Sequence, residues 1–156
     1  MGLGTPQWDF GARGAFFGLT RGSSRAHLIR AVLEGIAHNA VDLIDAATAE
    51  TGVRPAVVRV DGGMSRNDFL VQTLADASGC HIEVSAEAEA TTRGAGLLAH
   101  YGTGALSLDA VAALWKPAQV FTSTIDDASR ATRRDEWRGF VERAARTIPD
   151  LSAVTF

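Results

Sequence analysis

The chain has 156 residues, of which 46% are hydrophobic and 21% are charged, proportions typical of a folded globular domain rather than of a disordered segment. Its formal net charge of −3 argues against a surface built to bind nucleic acid. No apolar run approaches the roughly 20 residues of a membrane helix and no secretory pattern opens the sequence, so we expect a cytoplasmic protein that binds no membrane.

Residues 2–22 are rich in glycine and in aromatic side chains. The pattern predicts one short strand at Phe16, Phe17 and Leu19 inside an otherwise irregular segment. Trp8 and the two phenylalanines need burial. A loop this apolar indicates that part of the surface it packs against is missing from the chain.

A long helix is predicted over residues 25–50, where apolar side chains recur at spacings of three and four. Ser23 or Ser24 is suited to cap its first turn, and Gly52 and Pro55 mark its end.

Beyond this helix, strands alternate with helices. The predicted elements are a buried strand over 56–60, a helix over 66–78 capped by Ser65 and Gly79, a strand over 82–84, a helix over 89–101, a short helix over 107–115, a loop or edge strand at Phe121 and an arginine-rich surface helix over 128–147. Such alternation predicts an α/β layer with parallel strand pairs. We expect the 56–60 strand to be central and beside the 82–84 strand, with the long helix on one face.

The most informative stretch is residues 57–67, VVRVDGGMSRN. Gly62 and Gly63 follow the strand directly and carry no Cβ atom, so that the backbone there can approach a ligand closely. The helix N-terminus that comes next favours a phosphate group, and the amide of Asn67 can read an adenine edge. The spacing alone also fits a tight strand-to-helix turn that binds nothing.

Other features have plainer explanations. Residues 94–99 match a dinucleotide-binding pattern but lack the preceding strand that it requires, and we interpret their small side chains as allowing a helix to lie close to a neighbouring element. Asp42 and Asp45 are predicted to lie on a solvated helix face, and Asp126 to cap a helix. Cys80 is predicted to be a small buried group, and the four histidines show no metal-ligand spacing.

Residues 14–34, GAFFGLTRGSSRAHLIRAVLE, resemble the C-terminal signature of the FGGY carbohydrate kinases. The fixed positions that match are Gly14, Phe16, Gly18, Leu19, His27, Leu28, Ala31, Val32, Leu33 and Glu34. Residues 2–14, 28–46, 58–76 and 89–104 are similar to the glycerol kinases of that family. Thr5 and Gln7 depart from the family's GLGAPxWD segment. The resemblance extends over residues 2–146.

This resemblance implies a two-domain kinase of the actin-like, ribonuclease-H-like fold. Residues 1–156 would be its C-terminal, nucleotide-side domain, truncated at the N-terminal edge. In the family, ATP lies between the domains and its γ-phosphoryl group passes to a hydroxyl of glycerol or of a related polyol or sugar. In the family, the backbone at the second glycine of the DGG motif contacts the nucleotide and the asparagine four residues later reaches the adenine, and these positions correspond to Gly63 and Asn67. With Gly62, which the two-glycine pattern already indicates, they form the expected nucleotide-binding set.

The substrate pocket, the general base and most Mg²⁺ ligands of the family lie in the other domain, so that no catalytic residue and no metal ligand is expected in this chain. We therefore expect the isolated chain to be inactive. Its exposed apolar surface is expected to favour a homo-oligomer. Two alternatives stay open: another FGGY kinase, acting on xylulose, ribulose or gluconate, and a non-catalytic fragment that binds nucleotide weakly or acts only as a partner.

Overall fold

The computed structural model describes residues 2–87 and 89–152. The elements in chain order are α1 (Arg25–Thr51), β1 (Val57–Val60), a 3-10 turn (Gly63–Arg66), α2 (Asp68–Ser78), β2 (His81–Ser85), α3 (Ala90–Gly102), α4 (Leu108–Ala112), β3 (Pro117–Phe121), α5 (Asp127–Ala144) and α6 (Pro149–Ser152). The helices predicted from the sequence are confirmed, with ends that differ by a few residues. No helix in these ranges combines the length and the apolar run required to cross a membrane.

The sheet has the strand order β1-β2-β3. β1 pairs with β2 in parallel, with Val58 opposite Ile82, and β2 pairs with β3 in antiparallel fashion, with Ile82 opposite Phe121. The predicted parallel pair is therefore confirmed, but the prediction that the 56–60 strand is central is wrong. β3, for which the sequence predicts a loop or an edge strand, lies on the far side of β2 and makes β2 the central strand.

The core lies between the sheet and two helices. Its buried apolar residues are Ala37 and Val41 on α1, Leu70, Val71, Leu74, Ala75 and Ala77 on α2, Cys80 before β2, and Ile82 and Val84 on β2. α1 ends as predicted at Gly52, whose φ of 71° is one that glycine adopts readily. The pairing of β1 with β2 and the packing of α2 in the core fix both ends of the loop that joins β1 to α2.

Apolar side chains remain exposed around the N-terminal segment, as the sequence predicts. Trp8 is 55% exposed and Phe16 is 50% exposed, while Phe17 is half-buried and stacks on Phe140 with ring centroids 5.6 Å apart. The strand predicted at Phe16–Leu19 is wrong, because this stretch pairs with no other strand among the described residues. Self-association through this surface stays a prediction.

The close packing predicted for the small residues of α3 is not seen among the residues that the structure describes. A Cβ atom added at Gly94 or Gly96 would meet no atom within 4 Å in the described chain. Leu98 and Tyr101 on the same helix are also exposed. The close approach to a neighbouring element is therefore not formed within residues 2–87 and 89–152.

A buried ion-pair network joins α1 to α5 and corrects two predictions. Arg134, which is 5% exposed, donates to Asp42 at 2.5 Å and to Asp45 at 3.0 Å, and Trp137 Nε1 donates to Asp42 at 2.8 Å. The two aspartates are therefore not on a solvated face, and α5 is not purely a surface helix. Each prediction relied on local spacing, which carries no information about a partner on a distant helix.

Titration of nearby groups reflects this network. Burial acts to raise the pKa of Asp45, but hydrogen bonds from Arg54 and Arg134 outweigh it, so that the pKa lies below its ordinary value. Burial lowers the pKa of His38, and the positive charge of Arg134 lowers it further. Arg134 Nη1 lies 3.1 Å from His38 Nδ1. Because a guanidinium group has no acceptor, Nδ1 is the unprotonated ring nitrogen.

Candidate functional site

The loop from β1 to α2 contains all three predicted binding residues. Gly62 has φ 87° and ψ −179°, a backbone region that is essentially restricted to glycine. Gly63 does not have a positive φ, and a Cβ atom built there would meet nothing within 4 Å. The fold itself therefore requires a glycine at position 62, whereas at position 63 the chain leaves open space on the side where a Cβ would point.

Asn67 ends the 3-10 turn and caps α2. Its Oδ1 accepts a hydrogen bond from the N–H of Leu70 at 3.1 Å, and Asn67 is exposed. The prediction that Ser65 caps this helix is wrong, because the 3-10 turn postpones the start of α2 to Asp68. With the amide oxygen used in the cap, the Nδ2 group of Asn67 is left to donate outward.

Several donors at this loop have no partner among the residues that the structure describes. The backbone N–H groups of Gly63 and Met64 make no hydrogen bond to any described residue. Together with the Asn67 amide, these groups can donate to phosphate oxygens or to purine ring nitrogens. The loop geometry therefore fits an anionic, nucleotide-like ligand.

Ser65 has a position in this loop that the sequence does not predict, since the sequence indicates for it only a helix cap. It is buried, and its hydroxyl donates to the carbonyl oxygen of Gly62 at 2.7 Å. A serine placed two or three residues after a turn glycine is a signal for such a local hydrogen bond. The burial of Ser65 cannot be predicted from the local sequence, because it depends on the 3-10 turn.

The described residues near the β1–α2 loop include few side chains that could bind a metal ion. Residues 2–87 and 89–152 bring together no group of three His, Cys, Asp or Glu side chains that could hold a metal ion. Asp61 is exposed and is the carboxylate nearest to the glycine pair in the sequence. One carboxylate does not make a magnesium site without further oxygen ligands, so these residues do not fit a complete Mg²⁺ centre.

A separate concavity lies elsewhere on the described part of the chain. An open groove of about 1390 Å³ runs between residues 12–23, α1 and α5, with Phe16, Phe17 and Phe140 in its wall. None of Gly62, Gly63 and Asn67 borders it. The groove and the glycine loop are therefore distinct features of the surface.

Other predicted residues adopt the roles expected of them. Asp126 caps α5 by accepting from the N–H of Ser129 at 2.7 Å. Cys80 is buried, and its thiol donates to the carbonyl of Pro55 at 3.1 Å.

Comparison with known proteins identifies relatives that match most of this chain. Residues 1–103 match the C-terminal domain of the FGGY family of carbohydrate kinases. The chain is 40% identical over 147 residues to the glycerol kinase of Alcanivorax borkumensis, covering 94% of this chain and 30% of that protein. It is 42% identical over 144 residues to the glycerol kinase of Clostridium botulinum strain Alaska E43, covering 92% of this chain and 29% of that protein.

Solved structures give the same relationship. The fold matches Plasmodium falciparum glycerol kinase with ADP at a TM-score of 0.82 and 35% identity, over 99% of this chain and 30% of that one. It matches the ligand-bound xylulose kinase from Lactobacillus acidophilus at a TM-score of 0.70 and 27% identity, over 89% of this chain and 28% of that one. The chain thus spans about 30% of the length of the relatives it matches.

Proposed function

The chain belongs to the FGGY family of carbohydrate kinases, and from that premise we propose that it forms the C-terminal, nucleotide-binding part of an ATP-dependent glycerol kinase. The observation that carries this proposal is the match to a glycerol kinase solved with ADP over 99% of the chain. The free donors of the β1–α2 loop support it, because they suit the phosphates and the base of a nucleotide.

In the proposed complex, Gly62 and Gly63 present backbone to the nucleotide and Asn67 donates from Nδ2 to the base. Gly62 supplies the left-handed backbone that turns the chain out of β1. Gly63 supplies the open approach, and Asn67 combines the helix cap with the base contact. Phosphoryl transfer depends mainly on positioning and electrostatic stabilisation, and the residues described here contribute the nucleotide part of that positioning.

The substrate and the reacting hydroxyl are proposed to bind outside this chain, as are the Mg²⁺ ligands. Two facts support this division. The chain spans about 30% of the length of its relatives, and the loop offers a single carboxylate, Asp61, where Mg²⁺ needs several oxygen ligands.

A second candidate function is that of an FGGY-family kinase that phosphorylates a sugar instead of glycerol. Structural matches to xylulose and gluconate kinases, at TM-scores of 0.70 and 0.68, favour it. Glycerol remains the better choice because identity to the glycerol kinases is 35–42%, against 26–27% to these sugar kinases.

The proposed function can be tested with the chain alone and with a chimera that contains it. The 156-residue chain is expected to bind ADP and to produce no glycerol 3-phosphate from ATP, Mg²⁺ and glycerol. A chimera in which the chain replaces the matching segment of the Alcanivorax borkumensis relative is expected to phosphorylate glycerol in preference to xylulose and gluconate. A folded chimera that binds ADP but phosphorylates none of the three would contradict the proposal, as would turnover by the chain alone.

Two substitutions of Asn67 separate its proposed contact with the base from its capping of α2. Asn67→Ala removes both and is expected to cost about 1 kcal/mol of unfolding free energy through the lost cap. It should also weaken ADP binding about 2- to 13-fold, the value of one neutral hydrogen bond. Asn67→Ser retains a good capping oxygen but cannot reach the base, so that it should weaken ADP binding without the loss of stability.

Calorimetric titration with ADP and urea unfolding measure the two quantities. Asp126→Ala is the matched control, because it removes the cap of α5 far along the chain from the loop and should reduce stability alone. If Asn67→Ser binds ADP as tightly as the wild type, Asn67 is only a capping residue.

A further inference from the structure

Ser65 holds the peptide between the two glycines of the loop. Ser65 is 8% exposed. Its hydroxyl donates to the Gly62 carbonyl oxygen at 2.7 Å, and its backbone N–H approaches the same oxygen at 3.2 Å. One carbonyl therefore accepts two hydrogen bonds from one residue, and both pull it toward the buried side of the turn.

The direction of that carbonyl determines the direction of a nearby donor. The carbonyl of Gly62 and the N–H of Gly63 belong to one planar trans peptide, in which the two groups point in opposite directions. With the carbonyl held toward buried Ser65, the N–H of Gly63 points away from it. This N–H has no acceptor among the described residues, and Gly63 has open space where a Cβ would stand.

A peptide between two glycines needs such a restraint. Glycine populates both positive and negative φ readily, so the Gly62–Gly63 peptide has more than one accessible orientation when nothing holds its carbonyl. The apparent affinity of a ligand that requires one orientation is its intrinsic affinity multiplied by the fraction of molecules that already have that orientation.

We propose that the Ser65 hydroxyl is a positioning group, which orients the Gly62–Gly63 peptide so that the Gly63 N–H faces the phosphates of the bound nucleotide. The inference rests on the proposed function, because it assigns a role within the same nucleotide site. Ser65 itself does not contact the nucleotide, and its effect passes through the peptide that it holds.

The test compares ADP with adenosine on the full chain. Ser65→Ala is expected to weaken ADP binding about 2- to 13-fold, the range that one neutral hydrogen bond supplies, and to leave adenosine binding unchanged because adenosine has no phosphate. Ser65→Thr keeps a hydroxyl and is expected to restore ADP affinity. Ser78→Ala is the matched control, since Ser78 is also buried and its hydroxyl accepts from the Cys80 N–H at the opposite end of α2.

Amide NMR provides a second measurement that does not depend on tolerance of the threonine methyl group. In Ser65→Ala, the Gly63 amide signal is expected to show microsecond-to-millisecond exchange that the wild type and Ser78→Ala lack. The proposal is overturned if the wild type binds ADP and Ser65→Ala binds it equally tightly, or if adenosine and ADP weaken together. A wild-type chain that binds no ADP would instead refute the proposed function, and this inference with it.

Discussion

Gly63→Val is expected to weaken ADP binding about 12- to 140-fold, the value of one hydrogen bond to a charged group. The side chain would fill the space through which the backbone is proposed to approach the nucleotide. Among the described residues, a Cβ at Gly63 has no neighbour within 4 Å, and φ at that position is not positive. The free energy of unfolding should therefore change little, and ADP titration together with urea unfolding would measure both quantities.

The neighbouring glycine provides the contrast. Gly62→Ala is expected to cost on the order of 1–3 kcal/mol of stability, because φ is 87° and ψ is −179° at that position. Gly139→Ala, at an equally open site on α5, should leave ADP affinity unchanged. If Gly63→Val keeps wild-type affinity, the nucleotide does not approach the backbone at Gly63, and the proposed site is wrong there.

Local elements could be predicted well because their signals lie within a few residues. The three-and-four spacing predicted α1, and Gly52 predicted its end. Gly62 and Gly63 predicted a turn after β1, and in the structure Gly62 has a positive φ, whereas Gly63 has open space where a Cβ would stand. Nucleotide binding at this turn stays a proposal. Asn67 was expected to face a base, whereas its second task, capping α2, depends on where the preceding 3-10 turn ends.

Long-range partners could not be predicted in the same way. β3 is a short strand whose pairing with β2 depends on a chain reversal through α3 and α4, and nothing in residues 117–121 specifies that partner. Asp42 and Arg134 are 92 positions apart, so that each looks like an ordinary surface charge on its own helix. Their burial results from the packing of α1 on α5, which is a property of the assembled fold.

The network between these helices is expected to produce the largest stability effect in the chain. Arg134→Met leaves the buried Asp42 carboxylate with the Trp137 N–H but without its cation. Breaking a buried pair by removing one partner typically costs about 3–5 kcal/mol, because the remaining charge is desolvated and uncompensated. Methionine fills much of the volume of the arginine stem, which keeps the loss electrostatic rather than a matter of packing.

Urea unfolding of the full chain at neutral pH measures this cost, and α5 itself contains the control. Arg138 pairs with Asp135 on the same helix, but their side chains are 59% and 72% exposed, so Arg138→Met should cost at most about 1 kcal/mol. Adding Asp42→Asn to Arg134→Met removes the unpaired charge and should recover part of the lost stability, which a double-mutant cycle quantifies. Equal losses for Arg134→Met and Arg138→Met would show that burial of the α1–α5 pair adds nothing to stability.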